Sequence, residues 1–106
     1  MTHMYLQGTF GTLGSGIGEL HEPLGIAFDV DGRLLVADHR NQRVVRFWEE
    51  EGRVWWQTVL NQEQLGGGYP TVLELTNDGR VIVCVVFKNT KGKILNRKCL
   101  FFSNYK

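Results

Sequence analysis

The chain has few of the residues that build covalent or metal-held frameworks. Among 106 residues there are 2 Cys, 2 Pro and 3 His. Cys84 and Cys99 are too few for the disulfide framework of a small secreted domain. They lack a Cys-x-x-Cys spacing, and both lie in apolar runs, where a free thiol packs as a small hydrophobe. His3, His21 and His39 are widely spaced and form no His-x-x-x-His metal pair. Ser15 and Ser103 sit in no nucleophile-elbow context. No catalytic residue, metal or cofactor is therefore expected. The longest apolar run, Val81 to Phe87, falls far short of the ~18 residues that span a membrane. The first residues, M-T-H-M-Y-L-Q-G, lack the apolar centre of a signal peptide. The expected location is cytoplasmic, with reduced thiols and no membrane partner. The net charge of +1 supplies no global field for nucleic acid or membrane.

What the chain does have is glycine and short apolar runs. Thirteen Gly against two Pro suit many tight turns, and 42% hydrophobic residues suit one modest core. One domain over 1–106 is expected. Charge is uneven along it: residues 1–60 carry a balance of −3 and residues 61–106 a balance of +4. A basic second half hints at an acidic partner, although Lys on a solvated strand edge explains it as well.

The most ordered pattern runs from Pro23 to Phe47. Leu24 to Asp29 and Leu34 to Ala37 are apolar runs divided by the turn dipeptide Asp31-Gly32, and Asp38 to Asn41 is a polar turn before Val44 to Phe47. Pro23 lacks an N–H and suits the first residue of a strand. Ile26 and Phe28 should face one side as the core face, with Gly25 and Ala27 on the other. Glu49 to Gly52 reads as a charged hairpin turn flanked by Trp48 and Trp55 or Trp56, with Val54 to Leu60 as a fourth strand. The Trp cluster suits an aromatic outer face better than a ligand platform. Residues 4–10 read as a short strand. The Gly-rich loop Gly11 to Gly18 lacks both the helix of a dinucleotide fingerprint and the Gly-Lys-Ser/Thr of a P-loop.

The pattern then restarts. Pro23, Asp31, Gly32, Arg33 and Val36 recur 47 residues later as Pro70, Asp78, Gly79, Arg80 and Val83. Both copies follow a Gly-rich loop. A period in the forties with about four strands each points to β-propeller blades. The second copy decays after Val83, where Ala37-Asp38 is replaced by Cys84-Val85.

Residues 10–47 resemble an NHL repeat, the propeller-blade repeat of the TRIM-NHL proteins. The shared features are the lead-in F-G-T-L-G-S-G-I-G-E-L, then Pro23, G25-I-A-F-D, D31-G, L35-V-A-D and N41-x-R-V. The triad that names the repeat is Asn-His-Leu; this copy keeps Asn41 and has Gln42 in place of His. The resemblance implies an all-β fold of antiparallel four-stranded blades, one over about 10–60 and a degenerate one over about 66–106. Residues 1–10 would be the outer strand of a preceding blade. About two blades make an incomplete propeller; the chain is then a fragment of a larger one or closes by homo-oligomerisation, a trimer giving six blades.

The resemblance also implies where function sits. In propellers, partners contact the loops after the second strand and between blades, here 39–42, 61–69 and 88–92. These offer His39, Arg40, Gln42, Tyr69, Lys88 and Lys91 as partner-binding residues. Asp31, Gly32, Asp38, Asn41, Arg43, Asp78 and Gly79 are expected to be structural turn-formers, with Arg43 paired to Asp38. The first functional reading is a protein–protein interaction or scaffold module. Single-stranded RNA is the alternative, since some NHL propellers bind it, but it needs aromatic stacking partners and only Tyr69 is at hand. A non-functional fragment is a third reading. Some propeller relatives are zinc-dependent lyases, yet they draw metal ligands from several blades, so an enzyme is not expected.

Overall fold

The computed structural model describes residues 11–103, all strands and turns, with no helix among them. The strand read at 4–10 lies outside the described residues. Nine strands follow in order: β1 (Thr12–Leu13), β2 (Glu19–Leu20), β3 (Pro23–Phe28), β4 (Leu34–Asp38), β5 (Arg43–Glu50), β6 (Arg53–Leu60), β7 (Tyr69–Leu75), β8 (Val81–Lys88) and β9 (Ile94–Phe102). Strands β3-β4-β5-β6 form one antiparallel sheet and β7-β8-β9 a second. The Gly-rich lead-in is more than a loop: β1 and β2 pair in parallel across it.

Each tight turn follows from its residues. Gly32 sits at φ +77, a left-handed conformation that only Gly adopts without steric cost. The residue that organises this turn is Asp29, whose carboxylate accepts the N–H groups of Asp31 at 2.9 Å and Arg33 at 2.8 Å. The second copy uses Thr76 in the equivalent place, its hydroxyl accepting the Arg80 N–H at 2.9 Å, with Asp78 paired to Arg80 at 3.0 Å. At the β5–β6 hairpin the register sets Trp48 opposite Trp55 and Phe47 opposite Trp56. The guanidinium groups of Arg33 and Arg43 cover Trp48 and Trp56 at 4.4 and 4.9 Å.

The two sheets pack face to face. Leu35, Ala37, Val44 and Leu60 of the first meet Leu73, Val81, Val83 and Val85 of the second. The approach is closest where β3 meets β7. A Cβ on Gly25 would lie 2.5 Å from the backbone oxygen of Thr71, so only glycine lets the strands come this near.

This packing reverses the face expected of β3. Gly25 and Ala27 look toward the second sheet, while Ile26 and Phe28 are 65% and 63% exposed. The reason is steric: the small residues admit a neighbouring backbone, and the large ones are left on the outer face. The second sheet is likewise uncovered on its outer face, where Val72 and Phe101 are exposed. Cys84 is half-buried and Cys99 exposed on that same uncovered side, which is why neither packs as a core hydrophobe. Among the described residues the second sheet has three strands, and β9 is one continuous strand along β8.

Candidate functional site

Two groups of polar side chains were singled out by the sequence, and they do different work. The first is built on the β4–β5 turn. Asp38 is fully buried at the end of β4. One carboxylate oxygen accepts the His21 N–H at 2.7 Å; the other accepts Asn41 Nδ2 and Arg43 Nε, each at 2.8 Å. Arg43 then donates to the carbonyls of Ser15, Gly16 and Glu19, and Asn41 to that of Gly14. Asp38, Asn41 and Arg43 are thus a clamp. They hold the 14–21 lead-in against the blade by satisfying backbone groups that no strand ladder reaches. The second copy has Val85 where this one has Asp38, and so lacks the clamp.

The second group lies where the two sheets meet. His39 is buried, at 5% exposure, directly after Asp38. Its Nδ1 lies 3.0 Å from the Pro70 carbonyl, so that nitrogen carries the proton and donates. Nε2 is then the acceptor for the Lys88 ammonium at 2.6 Å. Lys88 also sits 4.5 Å over the Tyr69 ring, which lies 5.3 Å from the His39 ring at a tilt of 42°. Arg40, Tyr69, Lys88 and Lys91, with Asn89 and Thr90, line one basin of about 470 Å³. Five of the six candidate residues therefore meet, with His39 beneath and the other four at the wall. Gln42 stands apart. At φ 51 it turns away and donates to the Gly67 carbonyl at 2.8 Å, tying the blade-one turn to the lead-in of blade two.

The sequence reading missed Glu22. Its carboxylate pairs with Arg40, and that hydrogen bond holds the Glu22 carboxyl below its ordinary range. Both partners are about half exposed, so the pair contributes little stability, but it lowers the free positive charge at the rim. A charge complement 18 residues upstream leaves no local signal in a sequence. Among the described residues, no three His, Cys, Asp or Glu side chains converge as a metal set would.

Burial pushes the His39 imidazole below its ordinary 6.5, with the Lys88 charge acting in the same direction and the Pro70 hydrogen bond opposing. As pH falls below 6.5, the unfolded chain takes the proton first. The stability tied to neutral His39 is therefore complete above about pH 6.5 and is lost as pH falls through the lowered folded value. An NMR titration of the His39 ring is expected to give a midpoint below 6.5. Lys88→Met should move that midpoint upward by removing the neighbouring cation. A midpoint unchanged by Lys88→Met would contradict the contact.

Comparison with known proteins bears on the clamp more than on the basin. The family model described as NHL repeat matches residues 20–47, from the end of the lead-in through β3 and β4 to Phe47 in β5. That stretch contains Asp29, Asp38, Asn41 and Arg43. Protein lin-41 of Caenorhabditis elegans is 56% identical to this chain over 39 residues. The match spans 37% of this chain and 3% of that protein's length. Residues 20–47 of this chain thus match the NHL repeat, within an all-β fold built mainly of antiparallel sheets.

Proposed function

We propose that the chain is a protein-interaction module and that the basin between its two sheets seats an acidic segment of a protein partner. The observation that supports this is the convergence of Arg40 from the β4–β5 turn, Tyr69 from the start of β7, Lys88 from the end of β8 and Lys91 from the turn after it onto one basin. Among the described residues no carboxylate lines it, and Glu22, beside it, is engaged by Arg40. Rigid sheets on both sides hold these turns in place, which is how scaffolds present binding residues. A partner carboxylate would meet Lys91 first and compete with Glu22 for Arg40.

Tyr69 argues against an RNA platform. One side of its ring carries the Lys88 ammonium and it leans on His39, so a base has little free π-face to stack on.

The test is fluorescence anisotropy with labelled Asp/Glu-rich peptides of mixed sequence, against Lys/Arg-rich controls. Acidic peptides should bind, and the double variant Lys88→Glu/Lys91→Glu should weaken them about tenfold or more, as expected for losing about 1.4 kcal/mol of charge contact. Equal binding of acidic and basic peptides would sink the reading. A single-stranded RNA probe whose affinity falls steeply with salt would replace it with nucleic-acid binding.

A further inference from the structure

Cys84 and Cys99 take no part in the basin or the clamp. They are direct Cα partners in the antiparallel ladder between β8 and β9. Residues directly opposed in such a ladder have Cα atoms about 4.5 or 5.5 Å apart, depending on the hydrogen-bonding of the pair. Both values lie inside the roughly 4.4–6.8 Å that a disulfide requires. Opposed residues also project to the same face of a sheet. Here both thiols line one apolar cleft of about 590 Å³ on the outer side of the second sheet, with Sγ atoms 2.7 Å apart.

The two thiols differ in access. Cys99 is exposed and Cys84 is half-buried beside it. Arg97, two residues before Cys99 on the same strand face, lines the cleft as well and puts a positive charge near the developing thiolate. The hydrogen bond to Cys99, then burial, push the Cys84 thiol up to about 11. Exposure and the neighbouring Arg97 make Cys99 the attacking sulfur and leave Cys84 as the resolving one.

We propose that Cys84 and Cys99 form a reversible thiol–disulfide site whose oxidant is a low-molecular-weight aliphatic disulfide entering from the open cleft. The Cys99 thiolate attacks one sulfur of the reagent, forming a mixed disulfide and releasing one thiolate. Cys84 gives its proton to solvent and attacks Cys99 Sγ, expelling the second thiolate. Two thiols and one disulfide become one protein disulfide and two small thiols, with two electrons passing to the reagent. The product staples β9 to β8 across a loop of 15 positions. This lies beyond the interaction reading and does not depend on it.

The experiment uses the full chain, reduced, then equilibrated with graded mixtures of oxidised and reduced glutathione. Samples are acid-quenched, alkylated and weighed by mass spectrometry with peptide mapping. The reduced chain should take an alkyl group on each cysteine. The oxidised chain should take none, be lighter by two hydrogens and contain the Cys84–Cys99 cross-link at a midpoint independent of protein concentration. Cys84→Ser should instead stop at a stable mixed disulfide on Cys99. Hydrogen exchange of β9 amides should slow roughly hundredfold on oxidation, as expected for closing a loop of this size. The proposal is overturned by a stable mixed disulfide in the unaltered chain, by cross-links only between chains, or by β9 exchange unchanged on oxidation.

Discussion

Replacing Asp38 with alanine is expected to lower stability by about 3–5 kcal/mol, the range for removing one partner of a buried ion pair. The side chain is wholly enclosed, and its two oxygens take three hydrogen bonds. Without it, Arg43 keeps its charge with only backbone carbonyls and the Trp56 ring to face it, and the His21 N–H and the Asn41 amide lose acceptors. Asparagine does not rescue the site. It keeps the volume but turns an NH₂ group toward the donors of Arg43 or His21. With whole-domain stabilities of about 5–15 kcal/mol, the loss is large enough to populate unfolded chain.

Urea unfolding followed by fluorescence of Trp48, Trp55 and Trp56 measures the loss. The same series should include Arg43→Ala and the double variant. Because the two groups share one contact, the double variant should be less destabilised than the sum of the singles. Additive losses, or a single-variant loss below about 1 kcal/mol, would show that the clamp is not what holds the lead-in.

Leu65→Ala is expected to cost about 2–5 kcal/mol, the range for truncating a buried Leu to Ala. Leu65 belongs to no strand. It lies in the connection between the sheets, yet it is fully buried and packs into the core with Leu35, Ala37, Leu60, Val83 and Val85. A reciprocal pair of hydrogen bonds positions it: Asn61 N–H to Gln64 Oε1 and Gln64 N–H to Asn61 Oδ1, both 2.9 Å, an arrangement of the capping-box type. The side chain fills the space where the sheets converge, so alanine leaves a cavity shared by both. Leu65→Met, which keeps the volume, should cost less than about 1.5 kcal/mol. The comparison of the two in urea separates packing from loop conformation. Equal losses would mean that the turn, rather than the buried side chain, carries the effect.

These two residues mark the boundary of what could be read without a structure. Asp38 and Arg43 lie five positions apart across a polar turn, and a pair that close is visible in sequence. The groups they hold, at Ser15, Gly16, Glu19 and His21, are more than fifteen positions away and carry no pattern, because the bonded atoms are backbone. Leu65 was hidden in a run of Gln and Gly that reads as linker, since a lone apolar residue without periodicity gives no sign of burial. The charged basin was legible as a set of turns, while the engagement of Arg40 by Glu22 and of Lys88 by His39 was not.

The sequence alone determined the local elements. Period-two apolar runs, Asp-Gly and Asn-rich turns and a 47-residue repeat specify short antiparallel strands in blade order, because strand and turn preferences act over a few residues. Tertiary structure decided which face of each strand is covered. Gly25 and Ala27 turned inward because backbone-to-backbone approach of β3 and β7 admits only small side chains, leaving Ile26 and Phe28 outside. It also decided that Cys84 and Cys99 stand side by side on an uncovered face, Cys99 exposed and Cys84 half-buried. Alternation along a strand leaves the choice of face to whatever packs against it, and that choice is made by contacts between residues far apart in the chain.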